Sequence, residues 1–155
     1  MSLRDQIHAD LTEAIRSSES TRRDALRMLW NAIYIVEKRE HSALDDAATI
    51  AVLIREIKTR RESIDAFRGG GRGDLAVAEE AALEVITPYM PRPLSEAEIA
   101  DLVTQGIAAT GASTPRDLGK VMGWLSPRTK GRADGKAVSA AVASALAHAG
   151  GGGPA

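Results

Sequence analysis

The chain of 155 residues contains no cysteine. That removes any disulfide framework and any thiolate metal site, and it fits a reducing, cytoplasmic address. Aromatic residues are almost as scarce, limited to Trp30, Tyr34, Phe67, Tyr89 and Trp124. Since 44% of the residues are still hydrophobic, the core must be made of Ala, Leu, Ile and Val, which favours closely packed helices over sheets. No apolar run approaches the roughly 20 residues that a membrane-spanning helix needs, and the N-terminus lacks a basic segment followed by an apolar one. A cytoplasmic protein without membrane association is expected. The histidines, His8, His41 and His148, stand too far apart in sequence to suggest a zinc site or a nucleophile–histidine pair. The net charge is only −1, so affinity for a polyanion must come from local clustering rather than from a globally positive field.

What is present is helical periodicity from end to end, and the spacing predicts an all-α protein. Ser2 and Asp5 form a start signal before the stripe Ile7, Leu11, Ile15. Thr21 and Asp24 repeat that pattern before Leu26, Leu29, Ile33 and Val36, with Met28, Ala32 and Ile35 widening the face, so the second helix is expected to be the most buried. A turn at His41–Asp45 leads to a third helix carrying Ile50, Leu53, Ile54, Ile57 and Ile64 inward. Its other face holds Arg55, Glu56, Lys58, Arg60, Arg61, Glu62 and Asp65, pairable as Glu56–Arg60 and Arg61–Asp65. The run Gly69-Gly-Gly-Arg-Gly73 predicts a mobile loop, after which Asp74 caps a fourth helix with Leu75, Ala78, Ala82, Val85 and Ile86 inward. Residues 1–90 thus read as an antiparallel helical bundle.

Three prolines, Pro88, Pro91 and Pro93, mark a boundary that no straight helix crosses. Beyond it a smaller three-helix subdomain is expected over residues 94–149, with 150–155 as a frayed tail. Ser95 and Glu98 open its first helix, with Ile99, Leu102, Val103 and Ile107 inward and Gly111 as the stop. Thr114, Pro115 and Asp117 open the next, lined by Leu118, Val121, Met122 and Leu125. Pro127 is expected to start one further turn before Gly131, and Asp134 to open a last helix with Val138, Val142, Ala145 and Leu146 inward.

The chemistry-bearing stretch is Asp117 to Lys136, where glycines alternate with bases. Between Pro115 and Lys136 stand Arg116, Lys120, Arg128, Lys130, Arg132 and Lys136 against only Asp117 and Asp134, a local +4. Glu96, Glu98 and Asp101 precede it without a base among them, so the subdomain is electrically lopsided. Gly119 and Gly123, four apart, are expected to let a neighbouring helix approach closely, in preference to a ligand. Gly131 and Gly135 read as turn and cap glycines. Several familiar motifs fail: Gly131 to Lys136 has three residues between its glycines and Ala137 after the lysine, where a phosphate loop needs four and then Ser or Thr. The Gly69–Gly73 run follows no strand, so it is no dinucleotide fingerprint. The carboxylates alternate with bases on solvent faces, and no catalytic constellation is expected.

The order of residues from Asp117 to Lys136, together with Met-Ser-Leu at the start, Arg27-Met28-Leu29 and the Pro91-x-x-Leu94-Ser95 junction, resembles the GatB/YqeY family. The matching positions of the closing signature are Gly119, Lys120, Val121, Met122, Gly123, Lys130, Gly131, Arg132, Ala133, Asp134, Gly135 and Lys136, with departures at Trp124, Ser126 and Thr129. The resemblance implies likeness to the tail of the B subunit of the tRNA-dependent amidotransferase, the part that reaches toward tRNA, detached from the catalytic domains. It implies a tRNA-binding module with Lys120, Arg128, Lys130, Arg132 and Lys136 on phosphates, Gly119, Gly123, Gly131 and Gly135 shaping the surface, and no cofactor or metal. The alternative it leaves open is an accessory that docks on an amidotransferase or synthetase, a carbon–nitrogen ligase with glutamine as amide donor. Trp124, if exposed, would stack on an unpaired base; if buried, it would pack between the subdomains. The two functions separate on whether the +4 run faces solvent or is neutralised by Glu96, Glu98 and Asp101.

Overall fold

Three helix starts in this chain are set by short side chains that accept from the free N–H groups of a first turn. Ser2 accepts from the Asp5 N–H at 3.1 Å, Asp45 from Ala48 at 2.8 Å and Ser95 from Glu98 at 3.1 Å. The computed structural model describes residues 1–150, and they hold seven α-helices and two short 3-10 turns. The helices are α1 (Leu3–Arg16), α2 (Ser20–Glu40), α3 (Asp46–Gly69), α4 (Gly73–Ile86), α5 (Glu96–Thr110), α6 (Leu118–Thr129) and α7 (Gly135–Gly150). Gly150 therefore closes α7, and the remainder of the expected frayed tail lies outside the described residues. The chain divides into two compact units, Met1–Met90 and Pro91–Ala155.

In the first unit α1 to α4 close on an aliphatic core that includes Ile7, Leu11, Leu26, Leu29, Ile33, Leu53 and Ile86. Its details correct several expectations. Ile15 is 49% exposed, and α2 buries only the narrow row Ala25, Leu26, Leu29 and Ile33 while Met28, Tyr34 and Ile35 are more than half exposed. A helix with one packed face needs no wider stripe. The start of α2 lies at Ser20 and has no side-chain cap; Asp24 instead meets the Arg23 guanidinium at 2.9 Å.

The glycine run is a tight turn, not a mobile loop: α3 continues to Gly69, and only Gly70 to Arg72 separate it from α4. Gly71 takes φ +74°, and the Arg72 N–H donates to the Phe67 carbonyl at 2.7 Å, which satisfies the last turn of α3. Arg72, not Asp74, occupies the N-cap position, and Asp74 in the first turn holds the Arg72 guanidinium. Of the residues expected inward on α4, Ile86 is buried and Ala82 and Val85 pack against the core, while Leu75 and Ala78 are exposed and Ala76 is buried instead.

The largest departure is Arg60, expected on the outer face of α3 and found only 4% exposed. It reaches Glu79 of α4 at 3.1 Å and Glu56 at 3.7 Å, and its Nε has no partner. The Arg61–Asp65 pair does not form; Lys58 and Glu62 pair at 3.9 Å instead.

In the second unit α5, α6 and α7 each touch the other two around Val103, Val121, Leu125, Val138, Val142 and Leu146. Gly111 ends α5 at φ +68°. Pro127 does not open a new turn but lies inside α6. Its ring removes one hydrogen bond, while the side chains of Ser126, Arg128 and Thr129 donate to the carbonyls of Met122, Trp124 and Leu125, at 2.8, 2.5 and 3.2 Å.

Candidate nucleic-acid interface

The basic stretch runs from the 3-10 turn before α6, through that helix and the turn after it, to the start of α7. A 3-10 turn, Pro115–Asp117, leads into α6, and Asp117 accepts from the N–H groups of Ser113 at 2.9 Å and Thr114 at 3.1 Å. Those backbone bonds, helped by the nearby Lys120 charge, hold its carboxyl below the ordinary carboxylate range. Asp117 is thereby committed to the helix start. After α6, Gly131 at φ +78° turns the chain, the Arg132 and Ala133 N–H groups both donate to the Thr129 carbonyl, and Asp134 accepts from Lys136 and Val138 at the start of α7. Gly131 is thus the turn glycine expected, whereas Gly135, expected as a cap, is the first residue of α7.

Arg116, Lys120, Arg128, Lys130 and Lys136 are all exposed, and none meets a carboxylate within 4 Å among the described residues. Of the three acids on α5, only Glu98 engages bases, Arg92 at 2.8 Å and Arg132 at 4.0 Å. The Arg92 hydrogen bond is the main cause of the lowered Glu98 pKa. Arg132 departs from its companions. Its Nε donates to the Arg92 carbonyl at 3.2 Å and its own carbonyl accepts from Leu94 at 2.7 Å, so it ties the turn to the start of the unit.

The glycines split in an unexpected way. Gly119 and Gly123 face open space: a Cβ on either would meet nothing within 4 Å, so they do not serve helix packing. The packing glycine is Gly106 of α5, where a Cβ would stand 2.9 Å from Trp124 Cε3 and 3.3 Å from Val121 Cγ1. Its signal was in the sequence, one residue before Ile107 and three after Val103 on the inward stripe. Trp124 is half-buried and packs within its own unit, against that glycine, with the Arg128 Cζ 3.7 Å from its ring centroid.

Elsewhere the bases of α3 are a weaker surface: Arg55 and Arg61 are exposed, but Lys58 is shared with Glu62 and Arg60 is buried. An open groove in the N-terminal unit is lined by Ser18–Arg22, Ala81, Glu84 and Val85, and its one base, Arg22, lies among Asp10, Glu13 and Glu19. No group of three or more His, Asp or Glu side chains is arranged to hold a metal among the described residues. No described helix is long and apolar enough to cross a membrane.

These features define a class, a two-unit all-helical protein whose C-terminal unit presents uncompensated bases on a glycine-cleared helix. A family model described as Yqey-like protein matches residues 4–146, and the chain belongs to that family. It is similar to the Altered inheritance of mitochondria protein 41, mitochondrial, of Pyrenophora tritici-repentis, 30% identical over 130 residues that cover 83% of this chain and 71% of the relative. The protein of the same name from Eremothecium gossypii is 33% identical over 146 residues, 90% of this chain and 78% of the relative.

Proposed function

We propose that this protein is a tRNA-binding accessory module without catalytic machinery of its own, and that it acts in the cytoplasm. The observation that carries the reading is the set of five exposed bases on α6, its flanking turns and the start of α7, none held by a carboxylate among the described residues. Side chains already committed to internal ion pairs lose those partners when they meet phosphate; free ones release counterions from the nucleic acid directly. Lys120, Arg128, Lys130 and Lys136 are the phosphate contacts, and Arg132 positions the turn that carries Lys130 and leads into the helix start at Lys136. Zero cysteines suit a reducing compartment.

The test is a titration of labelled tRNA and of a size-matched unstructured RNA across a salt series, with Lys120→Ala/Lys130→Ala alongside. Tighter binding of tRNA, a log–log salt slope of several units, and its reduction by about one unit per lost contact are expected. Absence of binding at low salt, or equal affinity for both RNAs, would remove the reading.

A second reading rests on a different observation. Met28 and Ile35, two turns apart on α2, are each more than half exposed, which suits docking on a partner such as a glutamine-dependent carbon–nitrogen ligase. Co-purification with such an enzyme that is lost on Met28→Lys/Ile35→Lys, with no RNA affinity, would favour it.

A further inference from the structure

Lys120, Trp124 and Arg128 follow one another at four-residue steps along one edge of α6, a rise of about 6 Å per step. Beside them runs the row Gly119, Gly123 and Pro127, whose two glycines face open space. No side chain therefore projects from the helix between Lys120 and the Trp124–Arg128 pair on that side. The pair itself is fixed. Gly106 makes room for the indole, and the Arg128 guanidinium sits over the ring while its Nη1 donates to the Trp124 carbonyl at 2.5 Å.

Several arginines spend their donors on carboxylates, as Arg4 does on Glu37 and Arg72 on Asp74. Arg128 is exposed, has no carboxylate partner among the described residues, and uses one of its five donors on its own helix. A phosphate contact needs only charge, which a lysine supplies; a planar cation held over an indole also offers a face. Faces of this kind attract the π-surface of a base. In an A-form duplex those surfaces are covered by neighbouring bases, so only an unpaired base presents one.

We propose that Arg128, seated on Trp124, is a stacking platform for an unpaired base of the bound RNA, with Lys120, about two turns earlier in the helix, on a phosphate. The inference rests on the RNA-binding reading and deepens it, because it assigns recognition of unpaired bases to the same surface.

The experiment uses the full chain with Trp30→Phe, which leaves Trp124 as the only tryptophan reporter. It is titrated with tRNA and with a blunt, fully paired RNA duplex of similar phosphate number, and repeated with Arg128→Lys and with Lys120→Gln. The expected result is quenching of Trp124 by tRNA but not by the duplex, and a loss of about tenfold in tRNA affinity for Arg128→Lys. The same variant should change duplex affinity by less than about twofold, while Lys120→Gln weakens both RNAs alike. Unchanged quenching and tRNA affinity in Arg128→Lys, or equal loss for both RNAs, would overturn the platform and leave the RNA-binding reading standing. If the unsubstituted chain binds neither RNA at low salt, both fall together.

Discussion

Within residues 1–90 thirteen bases stand against sixteen acids, and eight of those bases have a carboxylate within 4 Å. Within residues 91–150 seven bases stand against five acids, and only Arg92 and Arg132 are so placed, both on Glu98. A chain net charge of −1 thus conceals about −3 in one unit and +2 in the other. In the first unit cations are part of the architecture: Arg60 joins α3 to α4 through Glu79, and Arg4 joins α1 to α2 through Glu37. In the second unit cohesion comes from aliphatic contacts, and most bases are left outside them. Global charge is a poor guide to partners when it averages a surface that holds itself together with one that does not.

The comparison breaks most visibly at Arg60. Arg60→Ala removes the partner of two half-buried carboxylates, and a loss of about 3–5 kcal/mol is expected in denaturant unfolding. Arg60→Met, which fills the space and ends the orphaned Nε, should cost far less. If the two variants were equally destabilised, the ion pairs would not be the reason for the loss.

Glycine supplies the next contrast. Gly106→Ala drives a Cβ against the Trp124 ring, which cannot swing away as a flexible chain end can, and should destabilise by about 1–3 kcal/mol. Gly119→Ala and Gly123→Ala have open space and ordinary helical backbone, so each should stabilise the fold by up to about 1 kcal/mol. Thermal unfolding of the three variants distinguishes packing glycines from exposed ones by sign alone.

The smallest effect is the pH dependence that Glu37 contributes in the first unit. Glu37 accepts from the Arg4 guanidinium and from the Leu44 N–H, and the Arg4 bond above all holds its carboxyl below the ordinary carboxylate value. A depressed folded pKa stabilises the protein above the unfolded value, and that contribution is lost as pH falls through the folded one. Glu37→Gln should lower the unfolding temperature near neutrality and narrow its gap to the parent as pH drops below the carboxylate range. A constant gap would show that Glu37 acts by shape and not by charge.

What the sequence made legible was whatever depends on near neighbours. Ser2 and Ser95 act within three residues of themselves, and the Pro88–Pro93 punctuation, the Gly111 stop and the Gly131 turn are equally local. The same Thr-x-x-Asp pattern misled at Thr21 because α2 begins a residue earlier and Asp24 turns to Arg23. The burial of Arg60 was not legible, since its reason lies nineteen residues away in Glu79. The difference between Gly106 and Gly119 was legible only in part: Gly106 lies on the inward stripe of α5 and Gly119 beside that of α6, but the close approach of Trp124 to Gly106 comes from another helix. For the candidate interface, the cluster of bases could be read from spacing; that Glu98 binds Arg92 and Arg132 and leaves the others free could not.

The central claim is that RNA affinity resides in the unpaired bases of the second unit. It is tested most directly by measuring tRNA affinity across a salt series for two charge reversals of equal size, Lys120→Glu/Lys130→Glu and Arg55→Glu/Arg61→Glu. The account predicts that the first pair loses at least about a hundredfold in affinity and flattens the salt slope, while the second changes it by no more than a few-fold. Equal losses from both pairs, or a larger loss from the α3 pair, would contradict it.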